Sequence, residues 1–191
     1  MTVYRLRSDH EQFMTFTIAP KELRAKMGDN FTYHFDRTPT PQTPHWSTPN
    51  GRFYQPVDFP KANKIPDITD WTISDLVFNQ KTYQIFSETL KDYGEFLTIS
   101  VEGIPYYLFN VLKVIDQDAI DESQSEQKLK DGQYEGLVKL KFREDKIKDL
   151  LLFRTSYDEY LNIYCQDDFK NMVEKSALSG LIFKTDLAGV L

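Results

Sequence analysis

Seven of the nine prolines of this chain fall between Thr38 and Pro66, in TPTPQTPHWSTPNGRFYQPVDFPKANKIP. Each proline fixes φ, removes an amide donor and pushes the residue before it away from the helical region. The segment is therefore expected to run extended, with no regular helix and little central strand. It also carries Trp46, Phe53, Tyr54 and Phe59, too much apolar surface for a free linker. We expect it to lie across a larger domain, pinned by those rings. Pro41 and Pro44 have the spacing of a proline-rich ligand for an aromatic groove, the functional alternative to a packed strap. The chain divides on this reading into an N-terminal arm, residues 1–66, and an α+β domain, residues 67–191.

Beyond the arm the element signals alternate. Asp75–Phe78 reads as a short strand, and Asn79 as the N-cap of a helix from Gln80 to about Lys91 that ends before Gly94. Tyr83, Phe86 and Leu90 share one face of that helix, widened by Ile85. Residues 96–101 and 104–115 form a predicted hairpin about Glu102-Gly103. The second run is nearly all apolar, which predicts a central strand covered on both faces. At twelve residues, broken by Asn110 and Lys113, it is too short to cross a membrane, which takes about 20 apolar residues. If buried, the Asn110 amide needs a partner, because leaving it unpaired would cost about 1 to 3 kcal/mol. EGLVKLKF alternates Val138, Leu140 and Phe142 with Lys139 and Lys141, as a half-buried strand does. LLLFR and EYLNIYC suggest another hairpin, and Asp167 and Asp168 open a helix with Phe169, Met172 and Val173 inward and Gly180 as its stop. LIF near residue 182 completes the set. The sum is an α+β fold: an antiparallel or mixed sheet of five to six strands, two main helices and the extended proline-rich arm.

The residue types that do chemistry are sparse and scattered. His10, His34 and His45 all lie in the arm, and none has the spacing that places two metal ligands on one helical face. Ser74, Ser87 and Ser179 have no histidine in the same part of the chain, and the phosphate-cradling, nucleophile-elbow and paired-cysteine motifs are missing. Cys165 stands alone in an apolar run and reads as a buried, inert thiol. No catalytic residue, metal or cofactor is implied. The N-terminus lacks the apolar block of a signal peptide, so a cytoplasmic location is expected.

Charge supplies the main functional clue. The formal net charge is -6, with pI near 5.1, which argues against a nucleic-acid binder. It is unevenly spread: residues 1–66 hold nine Lys/Arg against six Asp/Glu, and residues 67–191 hold fourteen against twenty-three. Asp116, Asp118, Asp121, Glu122 and Glu126 crowd one polar stretch with no basic residue before Lys128. A calcium loop would need a central glycine that this stretch lacks. The alternatives are a solvated acidic loop or a docking patch for a basic partner.

Four stretches carry a resemblance: IPD (65–67), SDLVFNQKTYQIFSETL (74–90), EFLTISVEGIPYYLFNVLKVID (95–116) and YCQDDFKNMVEKSALSGLIF (164–183). From about Ile65 onward the chain resembles the bacterial family known as immunity protein eleven, formerly a domain of unknown function, found beside polymorphic and contact-delivered toxins. YYLFNV stands for the family's tyrosine-rich strand and LSGLIF for its late turn, while Asn79 and Gln166 stand at cap positions where the pattern has serine. The resemblance implies a non-enzymatic protein that binds and neutralises a cognate toxin domain in the producing cell; the acidic balance of residues 67–191 favours a basic partner, and neither nucleic-acid nor membrane partners are expected. The competing reading is a small-ligand protein or enzyme with a pocket between arm and sheet, where carboxylates and tyrosines such as Asp116 and Tyr107 hold substrate.

Overall fold

The computed structural model describes residues 1–29, 31, 37–72 and 75–189, so His34 and Ser74 lie outside the described residues. In chain order the strands are β1 (Val3–Ser8), β2 (Thr15–Ile18), β3 (Gly51–Tyr54), β4 (Ile68–Thr69), β5 (Asp75–Phe78), β6 (Gly94–Val101), β7 (Ile104–Val111), β8 (Val114–Ile115), β9 (Glu126–Lys130), β10 (Gln133–Lys139), β11 (Leu152–Thr155), β12 (Tyr164–Gln166) and β13 (Leu181–Lys184). The helices are α1 (Pro20–Met27), α2 (Gln80–Leu90), α3 (Glu144–Ile147) and α4 (Asp167–Lys175).

The fold is α+β, with mostly antiparallel pairing. In place of one sheet of five or six strands, the described residues form a four-stranded sheet, β4-β5-β7-β6, a five-stranded sheet, β13-β1-β12-β11-β8, and the ribbons β2-β3 and β9-β10. The reason lies at the end of β7. The Leu112 and Lys113 amides both donate to the Tyr93 carbonyl, each at 2.9 Å, so the strand stops at Val111. Val114 and Ile115 then pair in parallel with Arg154 and Thr155 of the other sheet. One apolar run is thus shared between two sheets.

Up to that break β7 behaves as its composition predicts, lying between β5 and β6 with Leu108, Phe109, Asn110 and Val111 all buried. Because side chains alternate faces along a strand, its two faces feed two cores. Phe109 and Val111 join Leu76, Phe78, Phe86, Phe169 and the inward residues of the five-stranded sheet. Leu108 joins Val77, Leu97 and Ile99 on the outer face, which Phe16, Ile18 and Leu23 close from the front of the chain. A third core, with Ile115, Ile120, Phe142, Ile147, Phe153 and Tyr164, covers the far side of the five-stranded sheet.

Within the proline-rich segment Trp46 and Phe53 pack on the second core, whereas Tyr54 and Phe59 are exposed, so two of the four rings do the pinning. Polar anchors complete it. Asn110 Nδ2 donates to the Thr40 carbonyl at 2.9 Å and to Glu95 Oε1 at 2.8 Å. The Glu95 carboxylate in turn accepts from the Gln42 amide and, at 3.0 Å, from the Thr43 amide. Trp46 Nε1 donates to the Thr98 carbonyl at 2.8 Å. The buried Asn110 therefore finds its partner in the strap itself. The segment is not wholly extended: Thr43–His45 makes a short 3-10 turn, and β3 pairs with β2.

Asp67 ties the two sheets together. Its carboxylate accepts from Ser179 N at 2.9 Å, Ser179 Oγ at 2.8 Å and Asn79 Nδ2 at 2.8 Å, while Asn79 Oδ1 caps α2 by accepting from Thr82 N at 2.9 Å. Partial burial pushes the Asp67 carboxyl up, but these hydrogen bonds outweigh it and hold the group below the ordinary carboxylate range. Next to Ser179, Gly180 has φ 106° and passes so close to β4 that a Cβ there would sit 2.1 Å from the Ile68 carbonyl oxygen. Gln166, by contrast, makes no side-chain cap for α4; its amide is turned to the Ile147 carbonyl.

Other predicted elements shift for local reasons. The pairing of LLLFR with EYLNIYC holds only at Leu152–Cys165 and Phe153–Tyr164, since residues 156–163 form a 3-10 turn and loop. In β10, register shifts between Tyr134/Gly136 and Leu137/Lys139 break the alternation, leaving Val138 47% exposed while Leu140 and Phe142 are buried.

Two outcomes test this architecture. Gly180→Ala combines backbone strain at positive φ with a clash against a backbone oxygen, and should lower unfolding free energy by more than about 2 kcal/mol in urea denaturation. The second concerns Asp75, whose buried carboxylate accepts from Trp71 N and Thr72 N, both at 3.1 Å, and from Thr72 Oγ1 at 2.6 Å. Burial dominates and raises it from 3.8 to about 6. Between those values the folded state holds the extra proton, so this group's contribution to stability falls as pH rises through the window, by on the order of 3 kcal/mol in all. Asp75→Asn keeps an acceptor for both amides and should flatten the stability profile between about pH 4 and pH 6; a decline as steep as that of the native protein would show the assignment to be wrong.

Candidate functional site

The five acidic residues singled out in the sequence come together on an exposed ridge built on the third core. Buried Ile115, Ala119 and Ile120 alternate with them and face inward. The backbone is fixed at both sides: Asp121 N donates to the Lys141 carbonyl at 2.9 Å and Arg143 N to the Ala119 carbonyl at 2.8 Å, flanking the Ile120–Phe142 bridge. Asp116, Asp118, Glu122 and Glu126 are exposed and Asp121 is half-buried. Along this polar stretch residues 117–119 form a 3-10 turn and Glu126–Lys130 form β9.

The carboxylates are not equally free of contacts within the chain. Asp118 forms an ion pair with Lys146 of α3. Asp121 accepts from Ser123 N at 3.1 Å, Ser123 Oγ at 2.6 Å and Gln124 Nε2 at 2.7 Å; these bonds, with Ser123 first, hold its carboxyl below the ordinary range. Glu122 accepts from Gln117 Nε2 at 3.2 Å, and Glu126 stands opposite Lys139 in the ribbon. The ridge continues into β9-β10, where Leu129 and Val138 are 57% and 47% exposed. Exposed apolar side chains beside charged ones are a common composition for a protein contact surface.

The other sequence candidates do not converge. Tyr107 stacks on Tyr83, with ring centroids 3.7 Å apart, and donates to Gln80 Oε1 at 2.8 Å, on the first core and away from Asp116 beside the third. His10 lies 3.5 Å from Asp70 and 3.3 Å from Thr15 Oγ1, and His45 is exposed on the 3-10 turn. Ser179 belongs to the Asp67 junction. Cys165 is fully buried, and burial pushes its thiol well above the ordinary range. Among the described residues, no group of three or more His, Cys, Asp and Glu side chains could hold a metal ion, and no helix is long and apolar enough to cross a membrane.

Sequence reasoning missed a second feature. Arg5 and Arg7, with Lys128 and Tyr134, line a cleft of about 280 Å³ behind the ribbon. The alternation in VYRLRS was the available signal, since it places both arginines on one strand face opposite Tyr4 and Leu6. The ribbon itself was signalled by Asp131-Gly132, whose φ values of 52° and 78° are those of a tight hairpin turn.

These features define an α+β protein with a firmly anchored acidic exterior. A family model described as Immunity protein family (Imm11) matches residues 12–186, and the chain belongs to that family. The match extends the similarity noted from Ile65 onward back through most of the arm. No curated protein matches the chain significantly.

If the ridge is a surface rather than a structural element, its charges should be removable at little cost. Replacing Asp118, Glu122 and Glu126 together by Asn, Gln and Gln is expected to change thermal stability by no more than about 1 kcal/mol. Ile120→Ala, which takes away the anchor, should cost about 2 to 5 kcal/mol on the same calorimetric measurement.

Proposed function

We propose that this protein is a non-enzymatic immunity protein that binds a cognate bacterial toxin in the cytoplasm of the producing cell and occludes the toxin's active site or substrate surface. The observation that carries this reading is membership of the immunity family over residues 12–186. The contact face assigned here is the ridge of Asp116, Asp118, Asp121, Glu122 and Glu126 with the adjoining Leu129 and Val138. Its support is physical: the anchored backbone loses little conformational freedom on binding, and the acidic sign attracts a basic partner. In this reading residues 1–66 contribute mainly cover for the sheets, and the remainder of the chain carries the partner face.

Co-expression with the toxin encoded beside it should restore growth and yield an isolable complex. Absence of both rescue and complex would overturn the immunity reading. The triple ridge variant should slow association about tenfold at low salt while changing dissociation less. Rescue accompanied by an unchanged, salt-insensitive association rate would leave immunity standing but remove the ridge as its contact face.

A further inference from the structure

The cleft behind the ribbon is built around two arginines on β1, an interior strand of the five-stranded sheet. They are two residues apart on one strand face, so their stems are separated by roughly 7 Å. Arg5 is only 5% exposed, and its Nε is buried without a hydrogen-bond partner, although the same guanidinium donates to the Gly189 carbonyl. Arg7 is aimed by a chain of hydrogen bonds. Its Nη2 donates to Asn162 Oδ1 at 3.0 Å, and Asn162 Nδ2 donates to the buried Asp158 at 2.7 Å. Among the described residues neither arginine lies within ion-pair distance of a carboxylate, and Lys184 stands directly opposite Arg5 on β13. Burial first, and then the charge of Arg5, lower the Arg7 pKa, as expected of like charges held together out of water. Across the cleft Lys128 is 3.0 Å from Glu135, a wall residue that also lies 3.9 Å from Lys130, so the one carboxylate lining the cleft is already engaged. Burial keeps the Tyr134 phenol protonated and able to donate. Leu137, Leu161 and Leu187 supply an apolar wall.

We propose that this cleft binds a small organic anion, a carboxylate or phosphate monoester with an apolar body, whose head bridges Arg5 and Arg7 and whose body lies against Leu137, Leu161 and Leu187. The volume of about 280 Å³ suits a molecule of that size. The site is independent of the ridge and of the immunity reading.

The test is calorimetric titration of the full-length protein with phenyl phosphate and with benzoate, using benzyl alcohol as the neutral counterpart. Saturable binding of at least one anion, with a Kd of about 1 mM or tighter, is expected, and benzyl alcohol should bind at least about tenfold more weakly. Arg7→Gln should weaken the anion about tenfold or more, while the triple ridge variant should bind it like the native protein. Arg5→Gln removes a buried charge and is read only if it keeps the native circular dichroism spectrum; Arg7→Gln and Lys128→Gln, at less buried positions, carry the test otherwise. Failure of both anions to saturate, equal binding of benzyl alcohol, or unchanged affinity in Arg7→Gln would each overturn the proposal.

Discussion

The arrangement of the two sheets depends on one carboxylate. Asp67 stands at the entrance to β4, and its three hydrogen bonds reach the cap of α2 and the turn before β13. Those partners belong to different layers: β4 and α2 to the four-stranded sheet and its helix, β13 to the edge of the five-stranded sheet. Ser179 contributes both its amide and its hydroxyl, and its carbonyl accepts from Ile68 N at 3.0 Å, so the junction is closed in both directions. Gly180 lets the chains approach that closely. Since a carboxylate accepting several bonds is held far more firmly than a single neutral pair, one residue can fix the relative placement of two sheets.

That placement determines how every other face is covered. With the first core between the sheets, each sheet has an outer face left over. The front of the chain closes one through Phe16, Ile18 and Leu23, and the segment 112–147 closes the other through Ile115, Ile120, Phe142 and Ile147. These coverings differ in polarity. Over the four-stranded sheet the strap is held by a buried amide and a half-buried carboxylate, Asn110 and Glu95. Over the five-stranded sheet the covering segment buries its aliphatic residues and turns its carboxylates outward, which makes the second covering the more acidic exterior.

Much of the first half of this architecture could be read in the residues, because the determinants were local. Asn79 caps α2 as its type predicts, Glu102 and Gly103 take the positive φ values of a tight turn, and the unbroken apolarity of β7 marks a strand covered on both sides. What could not be read was set by distant partners. Nothing near Leu112 announces that Tyr93, nineteen positions earlier, will accept two amides and end the strand. The exposure of Val138 follows from a register shift against β9, not from its own pattern. The acidic ridge was visible as composition, but its anchoring was not, since Ile115 and Ile120 acquire meaning only once Phe142 lies beside them. Arg5 and Arg7 were legible as a period-two pair, yet their number alone could not say that both would face a cleft.

On the proposed reading, the ridge and the ribbon would make different contributions to recognition. Exposed carboxylates separated by water from a partner act over about a Debye length, roughly 8 to 10 Å at physiological salt, so they accelerate encounter more than they lengthen residence. Two of the five are further discounted: Asp118 is paired with Lys146, and Asp121 is saturated by its own loop. Residence must then come from apolar area removed from water, at about 25 cal/mol per Å². In that reading the exposed apolar side chains of the ribbon, Leu129 and Val138, would supply such area; its Lys128, Lys130 and Lys139 also discourage edge-to-edge pairing with other chains. A partner selected by such a surface needs a basic rim to arrive quickly and an apolar centre to stay, and only the second requirement demands close steric fit. On that reading, charge on the ridge would tolerate substitution between related partners, whereas the ribbon positions would set which one is held.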